Sequence, residues 1–214
     1  LGYSSSGVVL EVGKTITDIA VGDKVACAGA GYANHAEIIN VPRNLVCKIP
    51  ENVDFDEAAF TTVGAIAMHG IRRAQVQFGD NVVVIGLGLL GQIATQILKA
   101  AGAHVIGIDL MKERVALAKE LGGADICFTA GNDAVDNVLK YTDGIGADSI
   151  IIYAATTSNE PVKQAMQMAR KKGRVIVVGA VGMDLDRSPF YEKELDFLIS
   201  CSYGPGRYEK RTLD

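Results

Sequence analysis

Val82-Val83-Val84-Ile85-Gly86-Leu87-Gly88-Leu89-Leu90-Gly91 decides the fold: an apolar, mostly β-branched run enters G-x-G-x-x-G, and the helical pattern of Gln92 to Ala101 follows at once. Four apolar residues in a row leave no polar face, so this strand is predicted to be covered on both sides in a parallel sheet. Each glycine then has its own role. Gly86 permits a tight turn, Gly88 lets a ligand approach the backbone without a Cβ in the way, and Gly91 lets the helix lie close to the strand. The helix start offers unpaired N–H groups and roughly half a positive charge, so Gly88, Leu89, Leu90 and Gly91 are predicted to hold a pyrophosphate without a lysine.

The next apolar run, His104-Val105-Ile106-Gly107-Ile108, ends at Asp109, 18 residues beyond Gly91. An acid at that place can accept hydrogen bonds from the hydroxyls of an adenosine ribose. It also disfavours a 2′-phosphate, since like unit charges at about 4 Å repel by about 4 kcal/mol at a near-surface dielectric. NAD is therefore expected over NADP, although Lys112 and Arg114 stand close enough in sequence to receive a phosphate, and Arg114 is read as lying against the adenosine. The same carboxylate could instead cap the helix that follows, and both roles can hold together.

Strand and helix periods alternate onward from residue 81: strands over 81–86, 104–109, 124–128, 148–154, 173–179 and 195–201, with helices over 89–101, 111–121, 133–141 and 159–170. This rhythm predicts an α/β fold, a Rossmann doubly wound sheet of six parallel strands. The rest of a dinucleotide is expected at the carboxyl ends of later strands, at Ala154, Gly179 and Ala180. Ordinary strand-to-helix turn chemistry explains small residues there equally well.

The front of the chain reads differently. Gly7 to Val12, Lys24 to Ala28, Ala36 to Asn40 and Leu45 to Ile49 are four predicted short strands, too few for a core of their own. Asp54 and Glu57 form a capping box ahead of an Ala-rich helix reaching Arg73. The expected organisation is a partial β domain over 1–50, a linker helix region over 51–78, the sheet domain over 79–203 and a loose tail over 204–214. The chain is read as an internal piece of a longer polypeptide.

Composition narrows the function. An apolar share of 49% with 24 glycines and 5 prolines describes a folded protein, and a net charge of −4 argues against nucleic acid as a partner. No apolar run is long enough for a bilayer, so no membrane partner is expected. Cys27, Cys47, Cys127 and Cys201 show no C-x-x-C pair, which predicts neither disulfides nor a zinc knuckle and favours a cytoplasmic setting. The first three are read as small buried hydrophobes.

The chain resembles the medium-chain dehydrogenase/reductase superfamily, the zinc-type alcohol dehydrogenase relatives. Gly7-Val8-Val9-Leu10-Glu11-Val12-Gly13 with Val21-Gly22-Asp23-Lys24-Val25 is similar to that family's GroES-like catalytic domain, Ile49-Pro50 and Glu57-Ala58-Ala59 to its linker, and 81–201 to its Rossmann domain. The segment from Ala26 to Glu37 and the run Ser202 to Tyr208 further resemble a branch fused to a glucose-fructose oxidoreductase-like domain. The resemblance implies NAD-dependent hydride transfer on a small-molecule alcohol or carbonyl substrate, with a sugar-like molecule suggested by the fused branch. A homodimer, and a fused oxidoreductase domain in a longer polypeptide, are the partners it implies.

The departures from the family carry as much weight. Gly2-Tyr3-Ser4 stands where zinc members have Gly-His-Glu, Val63 falls where a cysteine ligand is expected, and the four-cysteine lobe after Cys27 is missing. The resemblance therefore implies lost zinc sites and no metal. Three alternatives remain for catalysis: His69, Tyr3 and His35 are the titratable candidates for a proton carrier. A histidine on an Ala-rich helix is equally a packed residue, and His35 a surface one. An NADPH-dependent quinone or enone reductase, and a module that binds NAD without turnover, are the rival readings.

Overall fold

The computed structural model describes residues 1–207, and the chain divides into two compact units, one of 1–65 with 203 onward and one of 66–202. The boundary falls inside a helix.

In the first unit three short strands make an antiparallel sheet, β1 (Ser4–Val8), β2 (Lys24–Ala28) and β3 (Val46–Lys48), in the order β1-β2-β3. The four strands predicted for this region become three. The first lies earlier than 7–12, because Ser4 to Val8 pair with Ala28 to Lys24 and the chain then leaves the sheet. Ala36 to Asn40 forms no strand: the segment holds bends and loop, and Ile38 is exposed. Helix α1 (Phe55–Ala58) starts at the expected capping box, with the Glu57 N–H donating to Asp54 at 2.8 Å and the Asp54 N–H to Glu57 at 3.2 Å. The single helix predicted from there to Arg73 is two, α1 and α2 (Thr61–Ala74). Gly204 is buried, and the Gly206 and Arg207 carbonyls accept from Asn44 Nδ2, so the start of the expected loose tail is held. The remainder of that tail, 208–214, lies outside the described residues.

The second unit is a six-stranded parallel sheet: β4 (Asn81–Ile85), β5 (His104–Asp109), β6 (Ile126–Thr129), β7 (Ala147–Ile152), β8 (Ala169–Val177) and β9 (Asp196–Ile199), in the order β6-β5-β4-β7-β8-β9. Numbered within the sheet this is 3-2-1-4-5-6, the doubly wound order, with its switch point between β4 and β7. Val82, Val83 and Val84 are wholly buried, as are Ile150, Ile151 and Ile152, because alternate residues enter cores on opposite faces. Helices α3 (Leu89–Ala100), α4 (Lys112–Glu120), α5 (Ala134–Tyr141) and α6 (Glu160–Met168) connect the strands. A further helix, α7 (Arg187–Lys193), fills the stretch before β9 that was read as a plain strand-to-strand link. It has no buried residue, so no apolar stripe announced it.

Candidate functional site

The polypeptide leaves β4 at Ile85, turns at Gly86 with φ +94°, and enters α3 with Gly88 as N-cap. A Cβ on Gly91 would lie 1.9 Å from the Gly86 carbonyl oxygen, so only hydrogen fits where the helix folds back over the strand end. A Cβ on Gly88 would meet nothing nearer than Arg114 Nη1 at 4.0 Å, which leaves open space beside this glycine. No side chain caps α3, and the first intrahelical bond comes from the Gln92 N–H to the Gly88 carbonyl at 2.9 Å. The amides of Gly88, Leu89, Leu90 and Gly91 thus precede the helix's own ladder, at the positive end of its dipole, the arrangement that suits an anion.

Asp109 ends β5 beside this turn and is 6% exposed. One carboxylate oxygen accepts from the Leu87 N–H at 2.7 Å and the other from the Met111 N–H at 2.8 Å, while Arg114 Nη1 stands 3.6 Å away. Of the two roles foreseen for this acid, capping is thus seen in a modified form, since Met111 is itself the N-cap of α4. A carboxylate has about four acceptor positions, so each oxygen keeps one for a further donor. Arg114 is exposed, on the first turn of α4.

The later strand ends meet at the same edge. A Cβ on Gly86 would lie 2.6 Å from the Ala154 nitrogen, one on Gly179 would lie 2.0 Å from the Ala154 oxygen, and the Thr156 N–H donates to Ala180 at 2.8 Å. Gly86, Ala154, Gly179 and Ala180 are therefore neighbours through their main chains, at the carboxyl ends of β4, β7 and β8.

Gln92 was not singled out by its sequence, and it joins the parts. Its side-chain amide donates to the Leu87 carbonyl at 3.0 Å and to the Arg114 carbonyl at 2.9 Å, while its Oε1 is buried without a partner. Two acceptors fix the amide's orientation, because turning it would set oxygen against oxygen. Two neutral bonds of about 1 kcal/mol each are offset by about 1–3 kcal/mol for the unpaired oxygen, so Gln92 contributes little net stability. The available signal was polar residues, Gln92 and Thr95, among the buried Gly91, Ala94 and Leu98 of α3.

The catalytic candidates belong to both units. His69 is half-buried on α2 in the second unit; burial, then the Arg73 and Arg72 charges, hold its pKa below the ordinary 6.5. Next to it, Gly70 lets α2 lie on the sheet: a Cβ there would meet Val178 at 2.7 Å and the Tyr153 hydroxyl at 2.8 Å. Tyr153 donates to the Ala67 carbonyl at 2.7 Å, and burial raises its pKa. Tyr3 and His35 belong to the first unit and both are exposed. Cys27 and Cys127 are buried, and burial pushes both thiols up; Cys47 is exposed, against expectation, because only the middle strand of its sheet is covered. Among the described residues no three His, Cys, Asp or Glu side chains group to hold a metal ion.

Four similarities place this geometry among known proteins. Residues 90–214 match the family model described as zinc-binding dehydrogenase. D-guloside 3-dehydrogenase of Escherichia coli is 40% identical over 154 residues, which is 71% of this chain and 43% of that protein, so the chain spans under half of this relative's length. The alcohol dehydrogenase TADH from Thermus sp. ATN1 superposes with a TM-score of 0.84 at 27% identity, over 95% of this chain and 69% of that one. A mycobacterial protein complexed with NADPH gives 0.83 at 25% identity, over 96% and 66%. The chain belongs to the zinc-binding dehydrogenase family.

Proposed function

We propose that the chain is the dinucleotide-binding part of an NAD-dependent oxidoreductase that transfers hydride between the nicotinamide and an alcohol or carbonyl of a sugar-like small molecule. The observation that carries this reading is the glycine bend of β4 with its uncapped α3 amides and a buried acid beside it. The α3 amides hold the diphosphate, the space beside Gly88 admits it, and the free acceptor positions of Asp109 take the ribose hydroxyls. The nicotinamide supplies the hydride chemistry when bound. Ala154, Gly179 and Ala180, joined through their main chains at the strand ends, form the ledge for its ribose and carboxamide.

NAD is preferred because a 2′-phosphate would enter beside the Asp109 carboxylate, which two N–H bonds hold in place. Arg114, 3.6 Å from that acid, balances part of its charge and favours the rival, an NADPH-dependent reductase, as does the NADPH complex of the mycobacterial relative. The sugar-like substrate rests on the D-guloside 3-dehydrogenase relative. The zinc-free reading rests on Tyr3 and Val63 at positions where the family resemblance expects ligands. His69 and Tyr3 are the proton-carrier candidates. A homodimer and a fused oxidoreductase domain are carried as proposals for the whole protein.

Fluorescence titration of the full chain with NADH and NADPH tests the cofactor. The expected result is NADH binding at least tenfold tighter, which is about 1.4 kcal/mol. Tighter NADPH binding overturns the preference. Binding of NADH without oxidation of any alcohol in a broad polyol panel would favour a module that holds NAD without turnover.

A further inference from the structure

We propose that Gln92 is a positioning residue that, with Asp109, clamps the peptide of Leu87 and so fixes the glycine bend against α4. The proposal rests on the reading of that bend as a dinucleotide site. Leu87 is the one residue between Gly86 and Gly88, and both of its main-chain polar groups are held by side chains: the N–H by Asp109 at 2.7 Å, the carbonyl by Gln92 at 3.0 Å. The Leu87 side chain is fully buried and packs beside Gly107, where a Cβ would come within 3.2 Å of it. Three anchors therefore fix one residue in a turn that glycines on both sides leave free to move.

The second hydrogen of the Gln92 amide reaches the Arg114 carbonyl at 2.9 Å. One side chain thus ties the bend, the start of α3 and the first turn of α4 together. Gln92 is itself fixed, since its own carbonyl accepts from Thr95 Oγ1 at 2.9 Å and from Gln96 Nε2 at 3.0 Å. The buried Oε1 is left unpaired as the consequence of aiming both hydrogens at carbonyls. Thr95, the other buried polar residue of α3, has its hydroxyl partnered, so the unpaired oxygen belongs to Gln92 alone on this helix among the described residues.

The test compares Gln92→Met, which keeps length and loses both donors, with Gln167→Met, the same exchange at an exposed position of α6. In the full chain, NADH titration is expected to show about tenfold weaker affinity for Gln92→Met at unchanged stoichiometry, and wild-type affinity for Gln167→Met. A purely structural role would lower the binding-competent fraction and leave the affinity of that fraction unchanged; that result overturns the proposal, as does wild-type affinity in Gln92→Met. Hydrogen exchange of the nucleotide-free chain gives an independent arm: amides over 86–88 should exchange about tenfold faster in Gln92→Met, with the melting temperature little changed. If wild type binds neither NADH nor NADPH, the functional reading fails, and unchanged exchange over 86–88 then overturns the clamp by itself.

Discussion

Ile150, Ile151 and Ile152 of β7 are wholly buried, whereas β1 and β3 have no buried residue and only β2 is covered in the small antiparallel sheet. The two sheets are stabilised by different interactions. The parallel sheet has an apolar core on each face, one reaching from α2, α3 and α4 and the other from α5 and α6. The antiparallel sheet has a cluster of three buried residues, Val25, Cys27 and Ala33. What it lacks in apolar area is supplied by polar side chains bound to backbone: Ser4 donates to the Ala59 carbonyl, Ser6 to that of Phe55, and Arg43 grips Asp18 and the Val46 carbonyl. Such bonds contribute about 1 kcal/mol each and are easily replaced by water, while a buried isoleucine contributes about 1.5–3 kcal/mol by burial alone.

The difference is sharpest at glycines. Gly91→Ala in the second unit sets a methyl 1.9 Å from a backbone oxygen, so the helix or the strand must move. Overpacking of this kind destabilises by about 1–3 kcal/mol and more when backbone must give, and a loss of at least about 3 kcal/mol is expected in urea unfolding. Gly7→Ala in β1 meets nothing within 4 Å and should change stability by no more than about 0.5 kcal/mol. Equal losses for the two variants would break the comparison.

The same contrast explains what the sequence could tell. Val82 to Ile85 and Ile150 to Ile152 announce strands covered on both faces, and the glycine bend and Asp109 follow from a spacing that only this topology uses. β5 was bounded to the residue for that reason. Ala36 to Asn40 was misread because a short apolar alternation in a loop resembles an edge strand when no neighbour is known. α7 escaped notice because it has no apolar stripe, and β8 begins four residues early, at Ala169, inside a stretch of Arg and Lys that carries no strand signal. In the site, residues defined by backbone shape were legible. Gln92 was not, because its role depends on two carbonyls that the fold brings together, Leu87 of the glycine bend and Arg114 of α4.

A smaller effect should fall in the first unit. Asp54→Ala removes the acceptor of the Glu57 N–H and one half of the capping box. The expected loss is about 1 kcal/mol, typical of an N-cap. Hydrogen exchange should show it over 55–60 and leave the amides of β4 and β7 unchanged. Faster exchange in β7 would mean that the two units unfold as one and would remove the basis for treating them separately.

His69 gives the smallest effect, and one whose sign is fixed. Burial and the charges of Arg73 and Arg72 lower its folded pKa below 6.5, so the unfolded chain binds the proton more readily than the folded one. Above both values the group contributes nothing; as pH falls through 6.5 the unfolded state takes up protons first, and stability declines until the folded pKa is passed. His69→Gln abolishes that decline. The melting temperature of the variant should therefore rise relative to wild type between pH 7.5 and pH 5, about one unit on either side of 6.5 and below. A gap that narrows on acidification would mean that protonated His69 finds a partner in the folded state, which would favour it over Tyr3 as the proton carrier and bring the proposed chemistry to α2.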